Sequence, residues 1–237
     1  MKCKNCDKEI PQRAENSPTP EETTPNYLIE ADENEWKFLT AAINNIEKEE
    51  VVTASGIEEQ NFVAKLLSKI DCLRCKNLIE NKDITQHFWS LENKKDLMTN
   101  EDMEYTLAEL GIRHNNGILR FKPDLILHHS HNEQHTNLEQ QKLIFETKTK
   151  QYSRKTFFKD FFKLNVYIDK LNFQQAVFLS IGKPVEKIET LIKSYIDKGY
   201  YISNEYKRIY FVICPDAENF KKDIHVYSIR ENIIRKQ

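Results

Sequence analysis

Apolar positions recur along the chain with two periods, and the switch between them marks out helices and strands. Trp36, Leu39, Ile43 and Ile46, then Phe62, Leu66, Leu67 and Ile70, fall at helical spacing and predict helices over residues 34–50 and 57–70. Residues 100–110 read as a third helix, ended by Gly111. Residues 118–121 and 123–128 read as a pair of strands, and residues 142–149 as a further strand beyond a polar loop. The clearest helix spans residues 154–171, where Phe157, Phe161, Leu164, Ile168 and Leu171 recur at steps of four, three, four and three. A strand at 175–181, a helix at 185–198 and strands at 208–214 and 224–229 follow. Helices and strands in this order predict an α/β fold, a mixed central sheet flanked by helices.

Residues 11–26 hold four of the seven prolines together with acids and Ser/Thr, a composition that cannot build a core and reads as a linker. The chain is therefore expected to divide into a helical N-terminal region, residues 1–97, and a larger domain, residues 98–237. No apolar run approaches the roughly 18 residues that cross a bilayer, and the first thirty residues lack a signal-peptide core. The expectation is a soluble, cytoplasmic protein with no membrane partner.

Charge and cysteine content change that picture. The net charge of −2 hides a front segment, residues 1–60, with 14 acids against 6 bases, and a remainder with 23 acids against 29 bases. An excess of +6 over residues 61–237 suits a polyanionic partner. Four of the five cysteines form two pairs of identical spacing, Cys3 with Cys6 and Cys72 with Cys75. In a reducing compartment two such pairs are expected to complete a structural tetrahedral Zn2+ site that stabilises the N-terminal region, although 65 residues separate them. With only five glycines the chain offers no phosphate-cradling loop, which argues against an ATP-driven enzyme.

The residues best placed for chemistry lie in two apolar strands. Phe121-Lys122-Pro123-Asp124-Leu125-Ile126-Leu127 is followed by Leu143-Ile144-Phe145-Glu146-Thr147-Lys148. Charged groups inside such strands are costly unless paired or bound to metal. Glu146 and Lys148 alternate onto one face, and pairing with the first strand brings Asp124 beside them. Two carboxylates and an ammonium suit Mg2+ and a phosphodiester. Other Glu-x-Lys triplets occur, at Glu35, Glu80, Glu92 and Glu205, but only Glu146 sits in a strongly apolar strand.

A Pro-Asp pair with Glu-x-Lys 22 residues later resembles the PD-(D/E)xK nuclease superfamily, the restriction-endonuclease-like proteins. That core runs helix, three strands, helix and strand, and it usually opens with a helix that carries an acid. The resemblance covers about the last 140 residues and implies a restriction-endonuclease-like core. It implies that Asp124 and Glu146 ligate Mg2+ (or Mn2+), with the Thr147 carbonyl as a further ligand, and that Lys148 orients water or stabilises transition-state charge. Glu104 is the candidate helix acid, with Glu101 as its rival. The implied activity is metal-dependent hydrolysis of DNA, in a restriction or defence setting by analogy. A homodimer, or a partner protein held through the N-terminal region, would fit that activity.

Lys155, Lys159 and Lys163 recur every four residues along the 154–171 helix and, with Gln151, are expected to follow the phosphate backbone of DNA. The alternative is a solvated helix face, and for the whole domain a non-catalytic nucleic-acid or protein-binding module that retains a nuclease-like core.

Overall fold

The alternating segments assemble into one seven-stranded mixed sheet in the computed structural model, which describes residues 27–53, 56–76, 88–91, 95–128, 141–149 and 152–230. The chain runs β1 (Leu28–Glu30), α1 (Glu33–Asn44), α2 (Lys48–Val51), β2 (Val52–Thr53), β3 (Gly56–Ile57) and α3 (Glu59–Cys75). It continues through β4 (Phe88–Leu91), β5 (Lys95–Met98), α4 (Glu101–Leu110), β6 (Ile118–Phe121), β7 (Leu125–His128) and β8 (Gln141–Lys148). The remaining elements are α5 (Arg154–Leu171), β9 (Gln175–Ile181), α6 (Val185–Asp197), β10 (Ile209–Cys214) and β11 (His225–Ile229).

The sheet order is β1-β11-β10-β9-β8-β7-β4. Strands β8, β9 and β10 are parallel neighbours joined by the crossover helices α5 and α6, whereas the outer pairings are antiparallel. Strand alternation sorts the two faces. Ile144, Phe178 and Phe211 pack with α4, α5 and α6, while Phe145, Leu179 and Val212 pack with α1 and α3. The result is three layers, helices on both faces of one sheet.

Helix α5 begins where Ser153 accepts a hydrogen bond from the Thr156 N–H at 3.1 Å, and it ends at Asn172, which takes the left-handed conformation. Its buried residues surround it, from Phe157 and Phe158 through Tyr167 and Ile168, because the sheet lies on one side and other helices on the other. No described helix is long and apolar enough to cross a membrane.

Three sequence expectations change. The helix expected over 34–50 is two helices, α1 and α2, interrupted after Asn44. Residues 118–121 pair with β5 rather than with the following strand, and together they form a separate two-stranded sheet. Pro123, which offers no N–H and has a fixed φ, stands between β6 and β7, and β7 instead pairs with β4 on one side and β8 on the other. The expected division at residues 97 and 98 is no break in packing. Helices α1 and α3 share one apolar core with β7, β8, β9 and β10, and both edge strands of the main sheet come from the front segment.

Candidate functional site

Strands β7 and β8 end out of step, and the mismatch creates the site. Leu125, the first residue of β7, pairs with Phe145, so Glu146, Thr147 and Lys148 run on past it while still paired on their far side with β9. The open edge leaves the Thr147 N–H without a strand partner. Asp124 supplies one: its Oδ2 accepts that N–H at 2.6 Å while its own N–H donates to the Phe145 carbonyl at 3.1 Å. One residue before the strand, the chain thus fixes a carboxylate beside Glu146 and Lys148.

Glu146 is 1% exposed. Its Oε2 accepts from Lys163 Nζ at 3.1 Å and its Oε1 from the Tyr167 hydroxyl at 3.3 Å, and these two partners lie four residues apart on one face of α5. Asp160, also buried on α5, bridges both lysines. Its Oδ1 accepts from Lys163 Nζ at 2.7 Å, and its Oδ2 lies 3.3 Å from Lys148 Nζ without a hydrogen bond. Lys148 donates instead to Glu59 Oε1 at 3.1 Å and to the Thr147 carbonyl at 2.7 Å. Glu59 opens α3 on the opposite face of the sheet, so the strand end is gripped by helices from both layers.

With all six groups ionised, four carboxylates face two ammoniums, a formal charge of −2 in a largely buried volume. Burial pushes the Glu146 carboxyl well above the usual carboxylate range; Lys163 opposes the shift, and Asp160 and Asp124 add to it. Burial likewise raises Asp124 against Lys148 and the Thr147 N–H, and raises Glu59 against Lys148. For Lys148 burial pulls downward, yet Asp160, Glu59, Asp124 and Glu146 outweigh it and hold the ammonium above the ordinary lysine value. Lys163 is raised in the same way, chiefly by Glu146 and Asp160 acting against burial.

The donor set fits a hard divalent cation. It is made of carboxylate oxygens, its excess charge is −2, and it includes a buried oxygen, Asp160 Oδ2, that no donor satisfies. Among the described residues no three His, Cys, Asp or Glu side chains form a ready metal cage, and Lys148 and Lys163 bridge the acids instead.

The structure therefore joins Asp124, Glu146, Thr147 and Lys148, and it occupies the Thr147 carbonyl with Lys148. It pairs Glu104 with His114, at 3.6 Å, on an exposed stretch of α4, and Glu101 is exposed on the same helix; the helix acids that reach the cluster are Glu59 and Asp160. The expected lysine stripe is not one surface. Lys155 is exposed, Lys159 half-buried and Lys163 turned into the cluster, since each four-residue step rotates about 40° around a helix of 3.6 residues per turn. Gln151, Cys3 and Cys6 lie outside the described residues, while Cys72 and Cys75 are exposed on the last turn of α3. Cys214 is buried in β10, its thiol pushed up to about 12 by burial.

Asp160, Tyr167 and Glu59 were missed by sequence reasoning. Asp160 had a readable signal, as an acid set among Phe157, Phe158, Phe161 and Phe162 with only Lys159 as a polar neighbour. Glu59 had none, because its partner Lys148 is 89 residues away. Searches among known protein families, curated proteins and solved structures find no match to this chain.

Proposed function

We propose that the chain is a Mg2+-dependent nuclease that hydrolyses DNA phosphodiester bonds. One observation carries the reading: Asp124, Glu146 and Lys148, a Pro-Asp and a Glu-x-Lys, meet where β8 outruns β7, in a cluster with two negative charges in excess. The element order supports it, because α3, the sheet strands β4, β7 and β8, then α5 and β9 follow the helix, three strands, helix and strand of the PD-(D/E)xK core, with β5, α4 and β6 inserted between β4 and β7. In that register Glu59 takes the role expected of Glu104.

A divalent cation would be held by Asp124 and Glu146 and would supply Lewis-acid polarisation of the scissile phosphate and neutralise charge there. Asp124 keeps its second oxygen for that task while the first is fixed on the Thr147 N–H. Lys148 offers its ammonium to the attacking water or to the charge that develops on phosphorus, and Asp160 and Glu59 hold it ready. Tyr167 orients Glu146. Lys155, exposed on the first turn of α5, is a candidate phosphate contact, and the excess of basic residues beyond residue 60 favours a polyanion.

The test is cleavage of supercoiled and linear DNA in Mg2+, Mn2+ or EDTA, with Glu146→Gln and Lys148→Ala as controls. Metal-dependent cutting lowered about 100-fold or more in both variants supports the assignment. A non-catalytic binding module is the second reading, favoured by the ion pairs that already engage Glu59, Glu146 and Asp160. Intact wild-type protein that binds DNA without cutting it under any of these conditions would establish that reading instead. Cys72 and Cys75, three residues apart on α3, form half of the proposed Zn2+ site. Metal analysis is expected to find one Zn2+ per chain, lost in Cys72→Ser.

A further inference from the structure

Among the described residues Glu146 has one cationic hydrogen-bond partner, Lys163, at 3.1 Å. Lys148 projects from the same strand face two residues on, yet it is drawn away to Glu59, Asp160 and the Thr147 carbonyl. Glu146 is also 1% exposed, so water does not satisfy its carboxylate. The ammonium of Lys163 therefore stands where the cation of the proposed reaction has to be held. Its hold is not permanent, because the side chain keeps 23% of its surface exposed and has a second acceptor, Asp160 Oδ1, at 2.7 Å.

We propose that Lys163 is a built-in counter-cation that competes with the divalent metal for Glu146, so that metal entry draws its ammonium off Glu146 and leaves it on Asp160. The inference rests on the reading that Asp124 and Glu146 receive a divalent cation. Metal affinity is then set by a residue that is not a ligand. The site is kept closed by an internal ion pair until the cation concentration is high enough to displace it. Asp160 acts as the parking acceptor: its place three residues before Lys163 keeps the lysine near the cluster after displacement. A lysine stem of four rotatable carbons makes that movement local.

Calorimetric titration of the full-length chain with Mn2+ at pH 8, in wild type, Lys163→Met and Glu146→Gln/Lys163→Met, tests the inference. Thermal melting in EDTA and in Mn2+ runs beside it. Lys163→Met is expected to bind Mn2+ about tenfold or more tightly than wild type, since a like charge has left the site. The gain should vanish in the double variant. In EDTA Lys163→Met should melt below wild type, and saturating Mn2+ should close the gap. Tighter binding by Lys163→Met, whether or not wild type binds measurably, supports the competition. Equal or weaker binding by a folded Lys163→Met beside a binding wild type overturns the competition and leaves the nuclease reading standing. Absence of binding in both overturns the two together. Should Lys163→Met fail to fold, Lys163→Gln decides by the same comparison, because it keeps a hydrogen-bond donor and loses the charge.

Discussion

Two successive parts of β8, Leu143 to Phe145 and Glu146 to Lys148, are both largely buried and chemically opposite. Leu143, Ile144 and Phe145 fill the apolar cores on the two faces of the sheet, while Glu146 and Lys148, next along the same strand, carry charges among α3 and α5. The difference lies in the neighbours. The first half is flanked by β7 and β9, so its backbone is satisfied and its side chains only need to pack. The second half has lost β7, and the freed edge is completed by a carboxylate, with side-chain charges balanced against one another. A strand that outlives its neighbour thus changes from scaffold to site without changing its conformation.

Four measurements would break or sharpen this contrast. The largest effect is expected in the apolar half: Phe145→Ala removes a fully buried ring and should cost about 3–5 kcal/mol in chemical denaturation. At the charged half the sign should reverse. Glu146→Gln removes a desolvated carboxylate whose folded-state pKa is raised and should stabilise the metal-free chain, read as a higher melting temperature in EDTA at pH 8, while cleavage is lost.

Dependence on pH follows from the same shifts. Because Glu146, Asp124 and Glu59 titrate higher in the folded chain, the native state binds more protons than the unfolded one between the ordinary carboxylate range and the raised values. Stability of the metal-free chain should therefore fall as pH rises through that window. Melting curves from pH 5 to pH 8 in EDTA check it, and a flat profile would remove the charged half of the contrast. Saturating Mn2+ is expected to shrink the slope. The smallest effect belongs to Glu104→Gln, which should leave cleavage within about twofold, whereas Glu59→Gln should lower it about tenfold or more.

Much of this arrangement was legible in the sequence. Helix α5 spans the residues its apolar spacing predicted because Ser153 and Asn172 stop it with local capping geometry. Strands β9 and β10 were visible as short apolar runs. The short strands β1 and β5 were not. Leu28–Glu30 and Lys95–Met98 are too short and too mixed in composition to show a period, and β1 exists because β11, about 200 residues away, pairs with it.

Taken alone, the sequence determined the α/β class, the placement of Asp124, Glu146 and Lys148 in or beside strands, and the basic character of the chain beyond residue 60. These depend on period, composition and spacing, which act over one or two turns or a strand's length. Only the tertiary structure decided that β7 stops short of Glu146, that Glu59 and not Glu104 reaches Lys148, and that Lys163 turns inward. Each depends on a partner brought from elsewhere in the chain, or on the rotation of one helix against the sheet. A local pattern carries no information about the energy of either.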